Sequence, residues 1–447
     1  MFEILSYLIS REYSTRAQMH DTMAYIKAME RLKHYTYSLL RKSEKYTKTD
    51  MVYLVKSGFW MNLSYISNSI FAFLLSVAFA KLLSKEVFGT YQFILSIGTM
   101  IGSLTLTGMN NAVIQAVARG YEGTVKRSIP VQLKYNIVAT IAALGVAIYY
   151  WMNSNQQLAL GILVIGILTP VFNTYNTYTA LLTGKKDFYS GFKFSLALNL
   201  PYFITMGSCL FFLNDPLMLV LINLGVNTLV TFILYKVAIR IYRPNDQHDP
   251  SAISLGKHLS IAGIISAIAN QADTVLIFHY LGTVPLAIYA FASTIPEKAY
   301  GILKSVSMMA FPKLSERSHA ELKSTVVSKS MRLAGLNIMM SAIYIACAPL
   351  IFYIFFPNYS SAIIYSQGYA CALIFSTLTN MSVTVLTAMQ ATKEIYAYNI
   401  VSPIINISLM AGLIMPLGLW GLILARGIGG ALSFIFSLIL IKYKKIV

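Results

Sequence analysis

The amino-acid sequence predicts an all-α polytopic membrane protein with about twelve transmembrane helices, arranged as two parallel-repeat six-helix bundles around a central cavity. Composition is the first reason, because 56% of the 447 residues are apolar and only 12% are charged. A soluble domain usually carries about 25% charged residues. The second reason is that apolar stretches of about 20 residues, enough for a helix to cross a bilayer, recur along the chain. The third is an internal repeat that divides these stretches into two sets.

Twelve apolar stretches fit the length of a membrane-spanning helix. The first six lie near residues 58–83, 88–108, 130–151, 157–181, 192–213 and 217–239. The second six lie near residues 256–280, 285–310, 332–356, 362–388, 395–415 and 417–441. These spans predict four regions: a basic cytoplasmic N-terminal amphipathic arm (1–57), an N-terminal six-helix lobe (58–240), a cytoplasmic linker (241–255) and a C-terminal six-helix lobe (256–447).

The N-terminal arm is too polar to contain the apolar region of a cleavable signal peptide. Its apolar residues recur at three- and four-residue steps, as in Met19, Met23 and Ile26. This spacing predicts one or two amphipathic helices. A basic amphipathic helix suits the anionic inner leaflet of a membrane. A solvated cytoplasmic appendage or a partner-binding arm fits the same pattern equally well.

The positive charge of the chain follows the predicted topology. The formal net charge is +18, and a nucleic-acid-binding protein would gather such charge on one basic surface. Here Lys and Arg fall mainly in the connections on one side of the membrane. The connections on the other side contain neither residue, apart from Lys85 in the first turn, and lie near 152–156, 214–216, 281–284, 357–361 and 416. Because positive residues mark cytoplasmic loops, we expect both termini to be cytoplasmic and no nucleic-acid partner.

The sequence contains no motif for catalysis, for nucleotide hydrolysis or for binding a metal or an organic cofactor. The GxxxxGK[ST], HExxH and GxSxG patterns are absent. The cysteines Cys209, Cys347 and Cys371 lie in apolar stretches without CxxC spacing, so neither a zinc site nor a disulfide framework is indicated. We therefore expect a protein that is not an enzyme and has no cofactor, and whose transport would be driven by an ion gradient or by mass action.

One hairpin of the sequence occurs twice. The stretch AKLLSKEVFGTYQFILSI at 80–97 is similar to FHYLGTVPLAIYAFASTI at 278–295, in a register that pairs Tyr91 with Tyr289. Each copy opens a set of six predicted spans. Six is an even number, so the two sets run in the same direction and form parallel repeats. In transporters built in this way the substrate site lies between the halves, near the middle of the bilayer.

Two stretches resemble a known family of transporters. The first hairpin, followed by LTGMNNAVIQAVARG, is similar to the first hairpin of polysaccharide-biosynthesis flippases. Residues 270–316, NQADTVLIFHYLGTVPLAIYAFASTIPEKAYGILKSVSMMAFPKLSE, are similar to the seventh and eighth spans of that family. The resemblance covers about residues 52–445. It places the chain near the O-antigen lipid-linked oligosaccharide flippases of the multidrug/oligosaccharidyl-lipid/polysaccharide exporter superfamily.

The resemblance implies a specific transport activity. Such a flippase carries undecaprenyl-pyrophosphate-linked oligosaccharide repeat units, of the O-antigen (lipopolysaccharide) or capsule type, across a bacterial inner membrane from the cytoplasmic to the outer leaflet. The expected partners are this lipid-linked oligosaccharide, the lipid bilayer and proteins of polysaccharide assembly.

Polar and charged side chains inside the predicted spans are the candidate site residues. A charge at a helix centre costs about 2.5–3.5 kcal/mol on insertion scales, so such residues usually face an aqueous interior. The first copy of the repeat has Leu75 where the second has Asp273, which shows that the shared scaffold does not demand the charge. The candidates for substrate binding in the cavity are Lys298, Lys304, Arg426, Glu297, Asp273, Lys81 and Asn270.

Two roles are open for the charged candidates. Lys298, Lys304 and Arg426 would bind the pyrophosphate, since ammonium and guanidinium groups bind phosphate oxygens strongly. Asp273 and Glu297 would bind sugar hydroxyls or take part in proton or sodium coupling. The alternative is structural, with Asp273 ion-paired to Lys298 or Lys304 between helices and Arg426 paired within the scaffold.

A multidrug or small-molecule antiporter on the same scaffold is the main alternative function. Its cavity would be more apolar or more acidic, whereas internal cations favour an anionic substrate. A membrane polysaccharide polymerase or ligase is a further alternative, but it would need catalytic groups on a sizeable outer loop, and every predicted outer loop is short. Lys81 lies near the outer end of its span, where snorkelling to the interface competes with a ligand role.

Overall fold

The computed structural model describes residues 51–315 and 319–443, together with Arg41. Within these ranges the chain forms α-helices joined by short connections. The predicted all-α class is therefore confirmed. Most of the predicted N-terminal arm lies outside the described residues, so the expectation of amphipathic helices there stays a prediction.

The first half of the chain begins with two long helices and ends at the connection 243–249. Its helices are α1 (Met51–Leu82), α2 (Lys85–Ser103), α3 (Met109–Ala118), α4 (Thr124–Met152), α5 (Gln156–Tyr175), α6 (Tyr178–Gly184), α7 (Phe188–Cys209) and α8 (Pro216–Tyr242). The helices of the second half are α9 (Pro250–Ala269), α10 (Ala272–Leu281), α11 (Thr283–Ser315), α12 (His319–Phe355), α13 (Ala362–Ala388), α14 (Thr392–Leu417) and α15 (Leu419–Tyr443), with a 3₁₀ turn at Pro357–Tyr359.

Nine helical segments of the described chain are long and apolar enough to cross a membrane. They are Ser57–Leu82, Thr124–Met152, Gln156–Gly184, Pro216–Tyr242, Pro250–Leu281, Glu321–Phe355, Ala362–Ala388, Thr392–Leu417 and Leu419–Tyr443. The other predicted spans are also helical, as α2 with α3, α7 and α11. The protein is therefore a multi-pass membrane protein, while the side on which each terminus lies stays a prediction.

Three breaks interrupt the helices where hydropathy predicted continuous spans: two divide the spans 157–181 and 256–280, and the third, at 104–108, ends the helix of the span 88–108 early. The divisions separate α2 from α3, α5 from α6, and α9 from α10. At the first, Thr105 Oγ1 donates to the Gly102 carbonyl at 2.6 Å, so a side chain competes with the helical hydrogen bonds. At the third, Asn270 ends α9 and Gln271 begins α10. Non-helical backbone is tolerated in a bilayer where it is buried or lines a cavity.

The packing of the helices repeats between the two halves. In the first half α4 packs on α5, α5 on α8, and α7 on both α1 and α8. In the second half α12 packs on α13, α13 on α15, and α14 on α15 and on the divided helix α9–α10. These pairs correspond in chain order. The structure thus has the two parallel repeats that the sequence predicted.

A buried asparagine reproduces the repeat in atomic detail. In α4, Asn136 Nδ2 donates to Thr174 Oγ1 at 2.8 Å and to the Pro170 carbonyl at 2.9 Å. In α12, Asn337 Nδ2 donates to Thr377 Oγ1 at 2.5 Å and to the carbonyl one turn before that threonine at 3.1 Å. Because few residues are identical along the two halves, the repeat is a property of packing and hydrogen bonding rather than of sequence identity.

The two lobes meet closely at the end of the molecule that is predicted to face outward. Phe88 of α2 stacks on Phe291 of α11, with 4.6 Å between the ring centroids. Gly89 lies against the backbone of Thr283, where a Cβ atom would clash. One apolar core runs through both lobes at this end.

The lobes also meet at the opposite end, which is predicted to be cytoplasmic. The Gly108 N–H donates to Ser260 Oγ at 2.9 Å, and a Cβ on Gly108 would lie 2.5 Å from the Ser260 nitrogen. Gly108 precedes α3, and Ser260 belongs to α9. The lobes are therefore in contact at both ends in this conformation.

The connection 243–249 reinforces the contact at the end that is predicted to be cytoplasmic. The Asp249 N–H donates to Thr124 Oγ1 at 3.0 Å, and the Asp249 carboxylate pairs with Arg119 at 3.5 Å. Hydrogen bonds from the Ser251 hydroxyl and N–H lower the pKa of Asp249 below its usual value. Because this pKa is depressed in the folded protein, the contribution to stability is present at neutral pH and is lost only as the pH falls through the folded pKa.

Candidate functional site

Asp273 is the buried carboxylate of the site. It lies in the first turn of α10, just after the division at Asn270. Its Oδ1 accepts from the Thr274 N–H at 2.8 Å, and its Oδ2 accepts from Tyr289 Oη at 2.8 Å and from Arg426 Nη2 at 2.6 Å. The division between α9 and α10 thus places a carboxylate inside the second lobe, where it accepts from a first-turn N–H group that has no partner within the helix.

Arg426 reaches the site from the middle of α15. Small residues let α15 approach its neighbours, since a Cβ on Gly430 would lie 3.0 Å from Phe375 Cβ on α13. The guanidinium lies over the ring of Tyr369, 5.0 Å from its centroid, an arrangement that favours a cation. Its Nη1 lies 3.9 Å from Glu297 Oε1, in addition to the short Nη2 contact with Asp273. The guanidinium therefore bridges two carboxylates.

The two carboxylates hold Arg426 with unequal strength. The Asp273 side chain is only 9% exposed, whereas the Glu297 side chain is 52% exposed and accepts a 2.5 Å hydrogen bond from Tyr369 Oη. Removing one partner of a buried ion pair strongly destabilises a protein, because it leaves the other charge buried and unpaired. Arg426 Nε has no hydrogen-bond partner among the described residues. The contact with Glu297 is thus the one that a competing anion could displace.

A cavity of about 610 Å³ lies between the lobes and contains all three charged side chains. Its walls come from α2 of the first lobe and from α10, α11 and α15 of the second. The polar residues that complete the lining are Gln92, Ser96, Thr99, Asn270, Gln271, Thr274, Tyr289, Ser293 and Thr294. The volume falls in the range of about 300–1,000 Å³ that is usual for ligand pockets.

A second cavity, of about 330 Å³, lies inside the second lobe among α9, α11, α13, α14 and α15. Lys304 is its lysine, and Tyr398 and Asn406 are among its polar residues. Arg426 and Asn270 line both cavities. The guanidinium therefore lies at the junction of two polar spaces, which is suited to binding an extended anion.

The sequence model of a family described as "Polysaccharide biosynthesis protein" matches residues 54–318. The chain belongs to this polysaccharide-biosynthesis family. No curated protein sequence matches the chain significantly.

Solved structures of other proteins have a similar fold. The lipid II flippase MurJ, in an inward closed conformation, matches with a TM-score of 0.60 and 15% identity over 86% of this chain and 87% of that chain. An inward-facing multidrug resistance MATE family transporter of the MOP superfamily matches with a TM-score of 0.64 and 12% identity, over 85% of this chain and 96% of that chain. At such identities the likeness concerns the fold, which is one shared by flippases and transporters.

The structure brings together five of the seven predicted site residues of this family member. Asp273, Glu297, Arg426 and Asn270 surround the inter-lobe cavity, and Lys304 lines the adjoining one. The roles of these residues stay predictions. Within the structural alternative, the pairing of Asp273 with Lys298 or Lys304 was wrong, because Arg426 is the ion partner of Asp273.

Two predicted site residues lie elsewhere. Lys298 is exposed on α11 and lines neither cavity. A helix turns by about 100° per residue, so Lys298 and Glu297 point in different directions. Lys81 is exposed in the last turn of α1 and also lines neither cavity. The position of Lys81 near a helix end is compatible with snorkelling rather than with contact to a ligand.

The sequence prediction omitted the tyrosines of the site. Tyr289 and Tyr369 are buried, and their hydroxyls donate to Asp273 and Glu297 respectively. In the sequence, Tyr289 stands out as the residue that the repeat pairs with Tyr91. A buried tyrosine hydroxyl usually has a hydrogen-bond partner. Asp273, on the preceding helix, is therefore the signal in the sequence that could have identified the partner of Tyr289. Tyr369 carries no comparable signal in the sequence.

Among the residues that the structure describes, no three His, Cys, Asp or Glu side chains group as metal ligands. The absence of a cofactor and of catalysis stays a prediction.

Proposed function

We propose that the protein is a flippase for undecaprenyl-pyrophosphate-linked oligosaccharide repeat units of the O-antigen or capsule type. It moves them from the inner to the outer leaflet of the bacterial cytoplasmic membrane by alternating access, coupled to an ion gradient. The observation that carries this proposal is Arg426, a guanidinium at the junction of two polar cavities beside the contact between the lobes. The family match is consistent with it.

A pyrophosphate suits this guanidinium. Arginine binds phosphate oxygens through two parallel hydrogen bonds, and these bonds are strongest where water is excluded. Glu297 lies 3.9 Å from Arg426 and is half exposed, so an incoming phosphate displaces it while Asp273 keeps its 2.6 Å contact. Lys304, in the adjoining cavity, supplies a second positive charge.

The same exchange provides a basis for ion coupling. Without substrate, one guanidinium is shared by two carboxylates. A pyrophosphate adds negative charge to this cluster and leaves Glu297 without its partner. Binding a proton or a sodium ion at Glu297 relieves the repulsion, so substrate and cation bind cooperatively. An ion gradient then drives the substrate in one direction.

The close contacts between the lobes define the alternating gates. Gly89 lies at the predicted outer contact and Gly108 at the predicted cytoplasmic one. Separation at Gly108 opens the 610 Å³ cavity to the cytoplasm, and separation at Gly89 opens it to the outside. In the conformation described here both contacts are made, as expected of an occluded step between loading and release.

Deletion of the gene tests this proposal directly. In the host cell, surface polysaccharide should disappear, and undecaprenyl-linked repeat units should accumulate on the cytoplasmic face. Complementation with the wild-type gene should restore export. If the repeat units reach the outer face at normal rates when no other flippase is present, the proposal is contradicted.

A multidrug antiporter remains the second candidate because MATE family transporters share this fold. The two functions predict opposite ligand charge at Arg426. Cells that lack the gene would become sensitive to cationic drugs under the antiporter hypothesis, whereas their polysaccharide would be unaffected. The flippase hypothesis predicts the reverse result.

A further inference from the structure

The first lobe contains a third cavity, at a place that corresponds to the second-lobe cavity around Lys304. It has a volume of about 520 Å³ and lies among α1, α6 and α7. The second-lobe cavity is lined by the corresponding helices α9, α13 and α14, and in addition by α11 and α15. Because the two lobes are parallel repeats, the two cavities lie at overlapping positions in their lobes.

One wall of the first-lobe cavity is aromatic. The indole of Trp60 on α1 lies 4.6 Å from the ring of Tyr189 and 5.6 Å from the ring of Phe192, measured between centroids. Trp60 and Phe192 both line the cavity. Gly191 lines it between them, and a Cβ there would meet nothing within 4 Å, so the space beside the rings is open.

The other wall carries amides and hydroxyls. Asn68 Oδ1 accepts from Ser195 Oγ and from Asn199 Nδ2, each at 3.0 Å. These contacts fix the orientation of Asn68 and leave its two amide N–H donors available. The side-chain amide of Asn176 also lines the cavity and has no hydrogen-bond partner among the residues that the structure describes.

The cavity has little free charge. Among the described residues that line it, Asp187 is the one carboxylate, and there is no Lys, Arg or His. Its carboxylate already accepts from Tyr242 Oη at 2.6 Å and from the Ser190 N–H at 3.0 Å, where it caps α7. This cavity therefore offers neither the cation that a phosphate needs nor a free carboxylate for a cationic drug.

We infer that the first-lobe cavity is a carbohydrate subsite, which holds neutral sugar rings of the substrate. This inference rests on the proposed function. The C–H faces of a pyranose ring pack against the electron-rich faces of aromatic rings. Sugar hydroxyls both donate and accept, so they pair with amides such as Asn68 and Asn176. A polyprenyl chain would pack on the aromatic wall but would leave the amides unpaired, at an energetic penalty.

Binding of two lipids to the purified full-length protein separates this inference from the proposed function. One lipid is the undecaprenyl-pyrophosphate-linked oligosaccharide that accumulates in host cells lacking the gene. The other is undecaprenyl pyrophosphate without sugar. The variants Trp60→Leu and Asn199→Leu change the two walls independently, and Trp60→Phe keeps an aromatic face. Trp151→Leu, at an exposed position near the end of α4, is the matched control.

Wild-type protein should bind the glycosylated lipid more tightly than the sugar-free lipid. Trp60→Leu and Asn199→Leu should each weaken binding of the glycosylated lipid about tenfold, which corresponds to about 1.4 kcal/mol, and should leave binding of the sugar-free lipid unchanged. Trp60→Phe should recover most of the loss, and Trp151→Leu should match the wild type.

The inference is overturned if both wall variants keep the wild-type preference for the glycosylated lipid. It is also overturned if they weaken binding of both lipids equally, because the walls would then act through the fold. Failure of the wild-type protein to bind either lipid would instead contradict the proposed function itself.

Discussion

The two lobes place different chemistry on the same scaffold. In the first lobe, the hydroxyl of buried Tyr91 on α2 accepts a 2.7 Å hydrogen bond from Asn223 on α8. Leu75 on α1 is buried in the apolar core of the same lobe. These groups are neutral. The first lobe nevertheless has the same helix packing as the second lobe.

In the second lobe the corresponding set is charged. Tyr289, which the repeat pairs with Tyr91, donates to Asp273, the residue that replaces Leu75. The last helix supplies Arg426, whereas α8, the last helix of the first lobe, supplies Asn223. The comparison shows that the packing does not require these charges. Under the proposed function they serve the substrate, and the first lobe contributes neutral surfaces.

Converting the charged set into the neutral one should have the largest effect. Arg426→Asn should abolish export and should destabilise the protein by about 3–5 kcal/mol, since it leaves Asp273 buried without its ion partner. The double variant with Asp273→Leu as well reproduces the first-lobe residues. We expect it to regain most of the stability but no export.

Thermal unfolding in detergent and polysaccharide export in a deletion strain measure these two properties separately. Arg426→Lys is the conservative control, and it should retain part of the activity because it keeps the charge but not the paired hydrogen bonds. Export by the neutral double variant at the wild-type level would show that the charged set is only a structural ion pair.

The next prediction concerns the second span of each lobe, which is divided at 104–108 in the first and continuous as α11 in the second. Gly108→Val adds a side chain whose Cβ would lie 2.5 Å from the Ser260 nitrogen. The cytoplasmic contact should then fail to close, and export should fall at least tenfold. A cysteine introduced at Thr99 in the inter-lobe cavity, in a background without native cysteines, should become more reactive to a thiol reagent added from the cytoplasmic side.

Gly145→Val is the matched control, because a Cβ on Gly145 would meet nothing within 4 Å. It should leave both export and thiol reactivity near the values of the parent protein. Unchanged reactivity in Gly108→Val would remove the evidence that the contact at Gly108 is a gate.

Glu297 sharpens the comparison by separating binding from coupling. Glu297→Gln removes the carboxylate that competes for Arg426 while keeping the shape and a hydrogen-bond acceptor for Tyr369. Binding of undecaprenyl pyrophosphate should therefore be as tight as in the wild type or a few-fold tighter. Flipping in proteoliposomes should lose most of its response to an imposed ion gradient. If the response is retained in full, coupling depends on another group.

The lysines of α11 should show the smallest effects. Lys304 lines a cavity together with Arg426, so Lys304→Ala should reduce export a few-fold. Lys298 lines neither cavity, so Lys298→Ala should change export less than twofold. Quantified surface polysaccharide at equal protein levels distinguishes these outcomes. A larger loss in Lys298→Ala than in Lys304→Ala would reverse the assignment of the two residues.

Much of the fold could be predicted from hydropathy, because the length and spacing of the apolar stretches fix the number and order of the helices. The three breaks in the helices could not, since residues such as Thr105 and Asn270 interrupt a helix without making the stretch less hydrophobic overall. The positions of Asp273, Glu297 and Arg426 inside apolar stretches were sufficient to nominate them.

The partner of Asp273 was beyond reach of the sequence. Arg426 is separated from it by 153 residues, and the nearby lysines of α11 are equally plausible partners when only spacing is known. The register of the repeat, which was found in the first hairpin of each half, does not predict where Arg426 on α15 lies relative to Asp273. The packing of α15 against α13 and α14, which depends on its small residues, decides that the guanidinium reaches Asp273.

The most direct test of the central claim is flipping of the native lipid-linked oligosaccharide in proteoliposomes under an imposed ion gradient. It compares the wild type with the double variant Arg426→Asn and Asp273→Leu, after both are shown to be folded. We predict rapid flipping by the wild type and no flipping above protein-free vesicles by the variant. Flipping by the neutral variant at the wild-type rate would contradict the claim that the charged set of the second lobe carries the substrate.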